Sequence, residues 1–179
     1  LAILAGLAVG LVTQLNLAFQ PAYLALVESL VNDGLQEQLN QSGHTEYTAQ
    51  QIVDLLMSFY GAYHAIMVIV CLMIARWCQA ALYNPGGFRQ EFHNLRFDRR
   101  VMVVLLGLIL VALLDIPPLD LWLPLFSIGP MIAGLAIAHY TVAKKGGGVV
   151  WLVMVYLTLL MMAPAIIMLG LAESVLDLR

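Results

Sequence analysis

The stretch Arg76–Arg100, RWCQAALYNPGGFRQEFHNLRFDRR, holds five of the eight Lys and Arg residues and has a long apolar run on either side. Cationic connectors near the ends of membrane-crossing segments resist translocation, so a basic loop between two apolar runs belongs on the cytoplasmic face. Placing that loop places every other segment by alternation. Within it, Asn84-Pro85-Gly86-Gly87 is a turn signal. Phe88, Phe92 and Leu95 then form a short apolar stripe, with Arg89, Gln90 and His93 off it. This pattern predicts a small interfacial helix, each nearby basic residue contributing about 1 kcal/mol of attraction to anionic lipid. A plain solvated connector is the competing reading. Arg89, Arg96, Arg99 and Arg100 make up the basic loop itself.

Composition agrees with the membrane reading. The chain has 179 residues, 62% hydrophobic and 11% charged, with a mean hydropathy of +0.91. Soluble domains carry about a quarter charged residues, so a soluble fold would lack the polar surface to cover itself. The expected fold is an all-α membrane protein, a bundle of about five transmembrane helices. To these are added an external amphipathic helix and a short cytoplasmic interfacial helix. Spans are expected at about 1–20, 52–77, 101–115, 121–143 and 149–172, in one domain. Loops 78–100 and 144–148 are then cytoplasmic, and 22–50 and 115–120 external. The chain starts with Leu rather than Met, so it is expected to be the C-terminal part of a longer one.

In the first run Ala2, Gly6 and Gly10 recur every fourth residue. Such a small-residue stripe lets another helix approach closely, either as an ordinary contact within the chain or as a docking stripe for a partner. From Ala22 to Leu39, Leu24, Val27, Val31 and Leu35 keep helical spacing while Glu28, Asp33 and Glu37 face elsewhere, giving the external acidic helix. Thr48-Ala-Gln-Gln51 fits a capping box that opens the second span. Two prolines within Asp115-Ile-Pro-Pro-Leu-Asp120 mark an outer hairpin. Gly129-x-x-x-Ala133 and Gly134-x-x-x-Ala138 offer a second close-packing surface, and Pro164 a kink in the last span. Cys71 and Cys78 are seven residues apart on one helix. That is a rise of about 10 Å, too far for a disulfide.

Phosphate-binding, nucleophile-elbow, zinc-helix and dinucleotide motifs are all missing from the sequence. A non-enzymatic protein is therefore expected, without cofactor, metal or nucleic-acid partner. The polar groups inside the spans are Thr13, Gln14, Asn16, Tyr60, Tyr63, His64, Thr158 and His139. Tyr60, His64, Met67 and Cys71 share one helix face, with His64 near mid-span, where an ionisable group faces protein or water rather than lipid. Gln14, Asn16, Tyr60, Tyr63 and His64 form the expected ligand pocket, open to the outside beneath the acidic helix and suited to a small organic molecule. The competing reading has His64, Gln14 and Asn16 bonding across to neighbouring helices.

Three segments resemble the YybS-like bacterial integral membrane proteins: ALYNPGGFRQEFHNLR (Ala81–Arg96), AGLAIAHYTVAKKGG (Ala133–Gly147) and LGLAESVLDLR (Leu169–Arg179). That family is of unknown function and similar to the substrate-binding S components of energy-coupling-factor transporters. The likeness covers most of the chain from Arg76 onward, with Glu173 standing where the family pattern has an aspartate. It implies an inner-membrane protein with further spans upstream, a captured small solute, and partner subunits that supply ATP hydrolysis. Ala2, Gly6 and Gly10 would then dock a coupling subunit. Two functions are expected from different classes: a small-solute-binding transporter subunit, or a structural or assembly protein packed against other membrane subunits. In both, the lipid bilayer and membrane protein subunits are the partners.

Overall fold

The computed structural model describes residues 1–18, 25, 29, 37–38, 41, 49–114 and 119–176. Among these, every regular element is helical. They are α1 (Ala2–Ala18), α2 (Ala49–Tyr83), α3 (Gly87–His93), α4 (Arg99–Ala112), a 3-10 turn (Leu119–Trp122), α5 (Leu123–Lys144), α6 (Val149–Met161) and α7 (Ala163–Leu176). Most of the expected external helix at 22–39, Thr48 of the expected capping box and most of the Asp115–Asp120 hairpin lie outside the described residues, while Ala49–Gln51 open α2.

Among the described residues two helices are long and apolar enough to cross a membrane, Leu55–Tyr83 of α2 and Leu123–Lys144 of α5; a third counts if α6 and α7 form one span. The hydrocarbon core is about 30 Å thick. The 14 residues of α4 reach only about 21 Å, and the 17 of α1 about 25 Å. The described helices thus offer two to three candidate spans, against the five expected. The last expected span in particular is broken at Met162, where α6 and α7 meet at 109°. Pro164 accounts for the break. It cannot donate to the Leu160 carbonyl, but in the first turn of a new helix its missing N–H costs nothing.

The chain forms two compact units, Leu1–Ile69 with Ala112–Leu125, and Val70–Val111 with Phe126–Arg179. In the first, α1 packs on the Ala49–Ile69 part of α2 through small residues. A Cβ on Gly10 would lie 2.7 Å from both the Ala65 Cβ and the Gly61 carbonyl oxygen, and one on Gly6 would overlap Ile69. Ala65 and Ile69 are buried. With lipid as apolar as the helices themselves, this close dispersion contact is what favours association.

The second unit is built on α5, whose Ile128, Pro130, Ala133 and Ala136 are buried. At the crossing of α5 with α7 backbone meets backbone. A Cβ on Gly134 would overlap the Ile166 carbonyl, and one on Gly170 the Pro130 carbonyl. Pro130 pairs with the later residue and Gly134 with the earlier, so the two helices run antiparallel there. Gly129 receives Leu105 of α4 and the ring edge of Phe97.

The basic connector belongs to this unit. Gly86, at φ 88°, takes the left-handed conformation that lets α2 turn sharply into α3. Arg76 of α2 grips the carboxylate of Glu91 on α3 through both its Nε (2.9 Å) and a terminal nitrogen, and donates to Gln79 at 2.9 Å. After α3 the non-helical Asn94–Asp98 segment follows α5, since Phe92 contacts His139 and Phe97 reaches Gly129. Ten helical residues separate those two points, about 15 Å along the axis.

One pH response follows. Hydrogen bonding to Arg76 holds the Glu91 carboxyl below the usual carboxylate range. A depressed folded value means the tie is present above the ordinary carboxylate range and is lost as pH falls through the lower folded value. Carbon-13 NMR of the Glu91 carboxyl should therefore titrate below a free glutamate, and return to the ordinary range in Arg76→Gln. An unchanged titration in that variant would show that Arg76 does not hold the carboxylate.

Candidate functional site

A concavity lies in the second unit at the Lys144 end of α5. It has a volume of about 560 Å³, within the 300–1,000 Å³ range of small-ligand pockets. Met73 and Trp77 of α2 form one wall, Phe88, Arg89, Phe92 and His93 of α3 a second. His139, Val142 and Ala143 of α5, Gly147-Gly148, and Val149, Leu152 and Tyr156 of α6 complete it. Both basic turns of the sequence thus border one cavity.

Its aromatic groups hold one another in place. His139 Nε2 and the Tyr156 hydroxyl are 3.0 Å apart in a hydrogen bond between α5 and α6. Phe92 stands edge-on to His139, with ring centres 5.3 Å apart, and stacks on Phe88 at 6.2 Å. His93 meets Tyr140 edge-on at 6.3 Å, and Lys144 lies 5.4 Å over the Tyr140 ring. Arg89 is exposed and makes no ion pair or hydrogen bond among the described residues, whereas Arg76 and Arg96 are each paired with a glutamate. A mostly apolar, aromatic chamber with an uncommitted guanidinium at its edge can hold an organic ligand and orient one anionic group. No group of three or more His, Cys, Asp or Glu suited to a metal occurs among the described residues.

The sequence-predicted pocket residues sit in the other unit. Gln14 is buried, and its amide donates to the Met57 carbonyl (3.2 Å) while accepting from the Gly61 N–H (2.8 Å). Those are the two groups that pair with each other in a regular helix, so α1 holds α2 by a side chain inserted at one rung. Gly61 is needed there, because a Cβ would lie 2.7 Å from Gln14 Oε1. Asn16 is exposed. His64, half-buried, donates from Nδ1 to the Tyr60 carbonyl at 2.9 Å, one turn back on its own helix. Its ring packs against Tyr60 and Tyr63, with centres 4.6 and 5.4 Å away. Thr13 and Thr158 likewise bond to carbonyls of their own helices. Gly6 and Gly10 are covered by α2, and Ala2 is half-buried. In the basic loop, Arg99 and Arg100 are exposed at the start of α4.

Gln14→Leu should cost about 1–2 kcal/mol, the sum of two interhelical hydrogen bonds of the strength found in membrane proteins. Thermal unfolding of the purified chain measures it, and an unchanged midpoint would show the amide contributes nothing.

Of the cavity residues, Phe88, Phe92, Arg89 and His139 stood out in the sequence as an apolar stripe, a basic loop and an in-span histidine. Tyr156 and Leu152 carried no signal, since an aromatic or Leu in an apolar run looks the same on any face. No protein-family model, no curated protein and no solved structure matches this chain.

Proposed function

We propose that this chain is a non-enzymatic integral membrane protein that captures a small organic ligand in the cavity beside His139 and Tyr156. The reading rests on one observation: about 560 Å³ of space, walled by Trp77, Phe88, Phe92 and Tyr156 and edged by Arg89. Aromatic walls supply apolar burial, and the few polar groups set ligand orientation. The two basic turns that frame it support a mouth on the cytoplasmic side of a bacterial inner membrane, by the bias of cationic loops. Its resemblance to the YybS-like proteins adds partner subunits, as in a transporter whose ATP hydrolysis lies elsewhere. A structural role is favoured for Gln14, whose bonds serve only to join α1 to α2.

Native mass spectrometry of the protein from its own membrane is the test. The parent should carry a bound small molecule, and Leu152→Trp, which fills the cavity, should lose at least about nine-tenths of it, a cost of roughly 1.4 kcal/mol. Equal occupancy in parent and variant would reject the site. Co-purifying ATPase subunits would support a transporter; unrelated assembly proteins in their place would support the structural role for the whole chain.

A further inference from the structure

A second, smaller concavity of about 360 Å³ lies in the inner corner of the α2–α3 elbow, lined by Trp77, Ala80, Ala81, Pro85, Gly86 and Arg89 together with Phe88. We propose that it binds an anionic phospholipid of the surrounding bilayer, with Arg89 holding the phosphate and Trp77, Ala80 and Ala81 receiving the start of the acyl chains. Three observations converge on that occupant. The corner sits at the end of the apolar Leu55–Tyr83 stretch, the depth at which headgroups meet hydrocarbon and where Trp is enriched. The neighbouring side chains Trp77, Leu82 and Tyr83 are exposed, so the groove opens towards lipid. Arg89 provides a positive charge that nothing among the described residues neutralises. Basic pockets beside membrane helices select phosphate-bearing headgroups. The volume suits a phosphodiester and the first methylenes, with the rest of the lipid lying in the bilayer.

The groove shares Trp77, Phe88 and Arg89 with the larger cavity, but Ala80 and Ala81 border only the groove. This separates the two sites experimentally. In a chain whose only tryptophan is Trp77 (Trp122→Phe, Trp151→Phe), reconstituted into phosphatidylcholine vesicles, quenching by brominated phosphatidylglycerol is compared with quenching by brominated phosphatidylcholine. The anionic lipid should reach half-quenching at a mole fraction roughly five-fold lower, the factor that one basic residue near a surface provides. Arg89→Gln should bring the two curves together. Ala81→Phe, which fills the corner, should do the same while native mass spectrometry still finds the cavity ligand. Equal quenching in the parent, a preference that survives Arg89→Gln, or an equal anionic preference in a Trp122-only chain would overturn the proposal. Loss of cavity ligand in Leu152→Phe, which fills the cavity without adding a tryptophan, with the Trp77 preference intact keeps the two sites distinct.

Discussion

Gly134→Ala should cost about 3 kcal/mol and leave little folded protein, although it adds one methyl group to a helix. In most helices that exchange is favourable by roughly 0.5–1 kcal/mol, because Gly loses more backbone freedom on folding than Ala. Here the new Cβ would overlap the carbonyl of Ile166. A flexible side chain could swing away, but a backbone carbonyl moves only with its helix. Displacing α7 would also open the reciprocal contact of Gly170 with the Pro130 carbonyl. The expected loss stands at the upper end of overpacking penalties. Gly107→Ala on α4 is the control, since its Cβ would meet nothing within 4 Å; it should hold or raise stability by up to about 1 kcal/mol. Thermal unfolding followed by size-exclusion chromatography compares them. If Gly134→Ala behaved like Gly107→Ala, the α5–α7 crossing would not have the backbone-on-backbone geometry described.

The second large effect is expected at the ion pair between Arg96 and Glu173, 3.2 Å apart. The Glu173 side chain is 1% exposed and that of Arg96 42%. Removing one partner of a fully buried pair costs about 3–5 kcal/mol, whereas exposed pairs contribute below about 1. With one end buried and the other wet, Arg96→Met should cost about 2 kcal/mol, an intermediate figure between those limits. Glu173→Gln should cost less, because the arginine left behind retains contact with water. The double variant should be more stable than the sum of the singles predicts, and that surplus is the coupling. Strict additivity in a double-mutant cycle would show that the two residues do not act on each other.

That pair also marks where sequence reading reached its limit. From charge, the Arg96 connector was expected on one face of a membrane, and Glu173, at the far end of a last span that crosses despite its kink, on the other. The 109° break at Met162 instead lets α7 return alongside α5, and the two side chains meet. Pro164 was visible as a kink, but the angle of a kink is set by what the following helix packs against. Here that is Gly134 and Pro130. Similarly, the stripe Ala2/Gly6/Gly10 announced a close contact, but the identity of the neighbour depended on Gly61 and Ala65 lying on the matching face of α2.

The ligand residues divide along the same line. Gln14 and His64 drew attention as polar groups in apolar runs, and both are engaged with helix backbone, Gln14 across α1 and α2 and His64 within its own turn. The cavity gathers side chains from α2, α3, α5 and α6 that are up to about eighty residues apart in sequence. No local spacing encodes such a grouping.

By itself the sequence determined the helical class with helices long and apolar enough to cross a membrane, the elbow at Asn84–Gly87, the break near Pro164 and the small-residue faces. Each of these follows from hydropathy, charge or the backbone limits of Gly and Pro, which act within a few residues. Only the tertiary structure decided which glycines meet which backbone, that Glu173 reaches Arg96, and where the cavities lie. Those depend on distances between segments remote in the chain, and packing sets such distances.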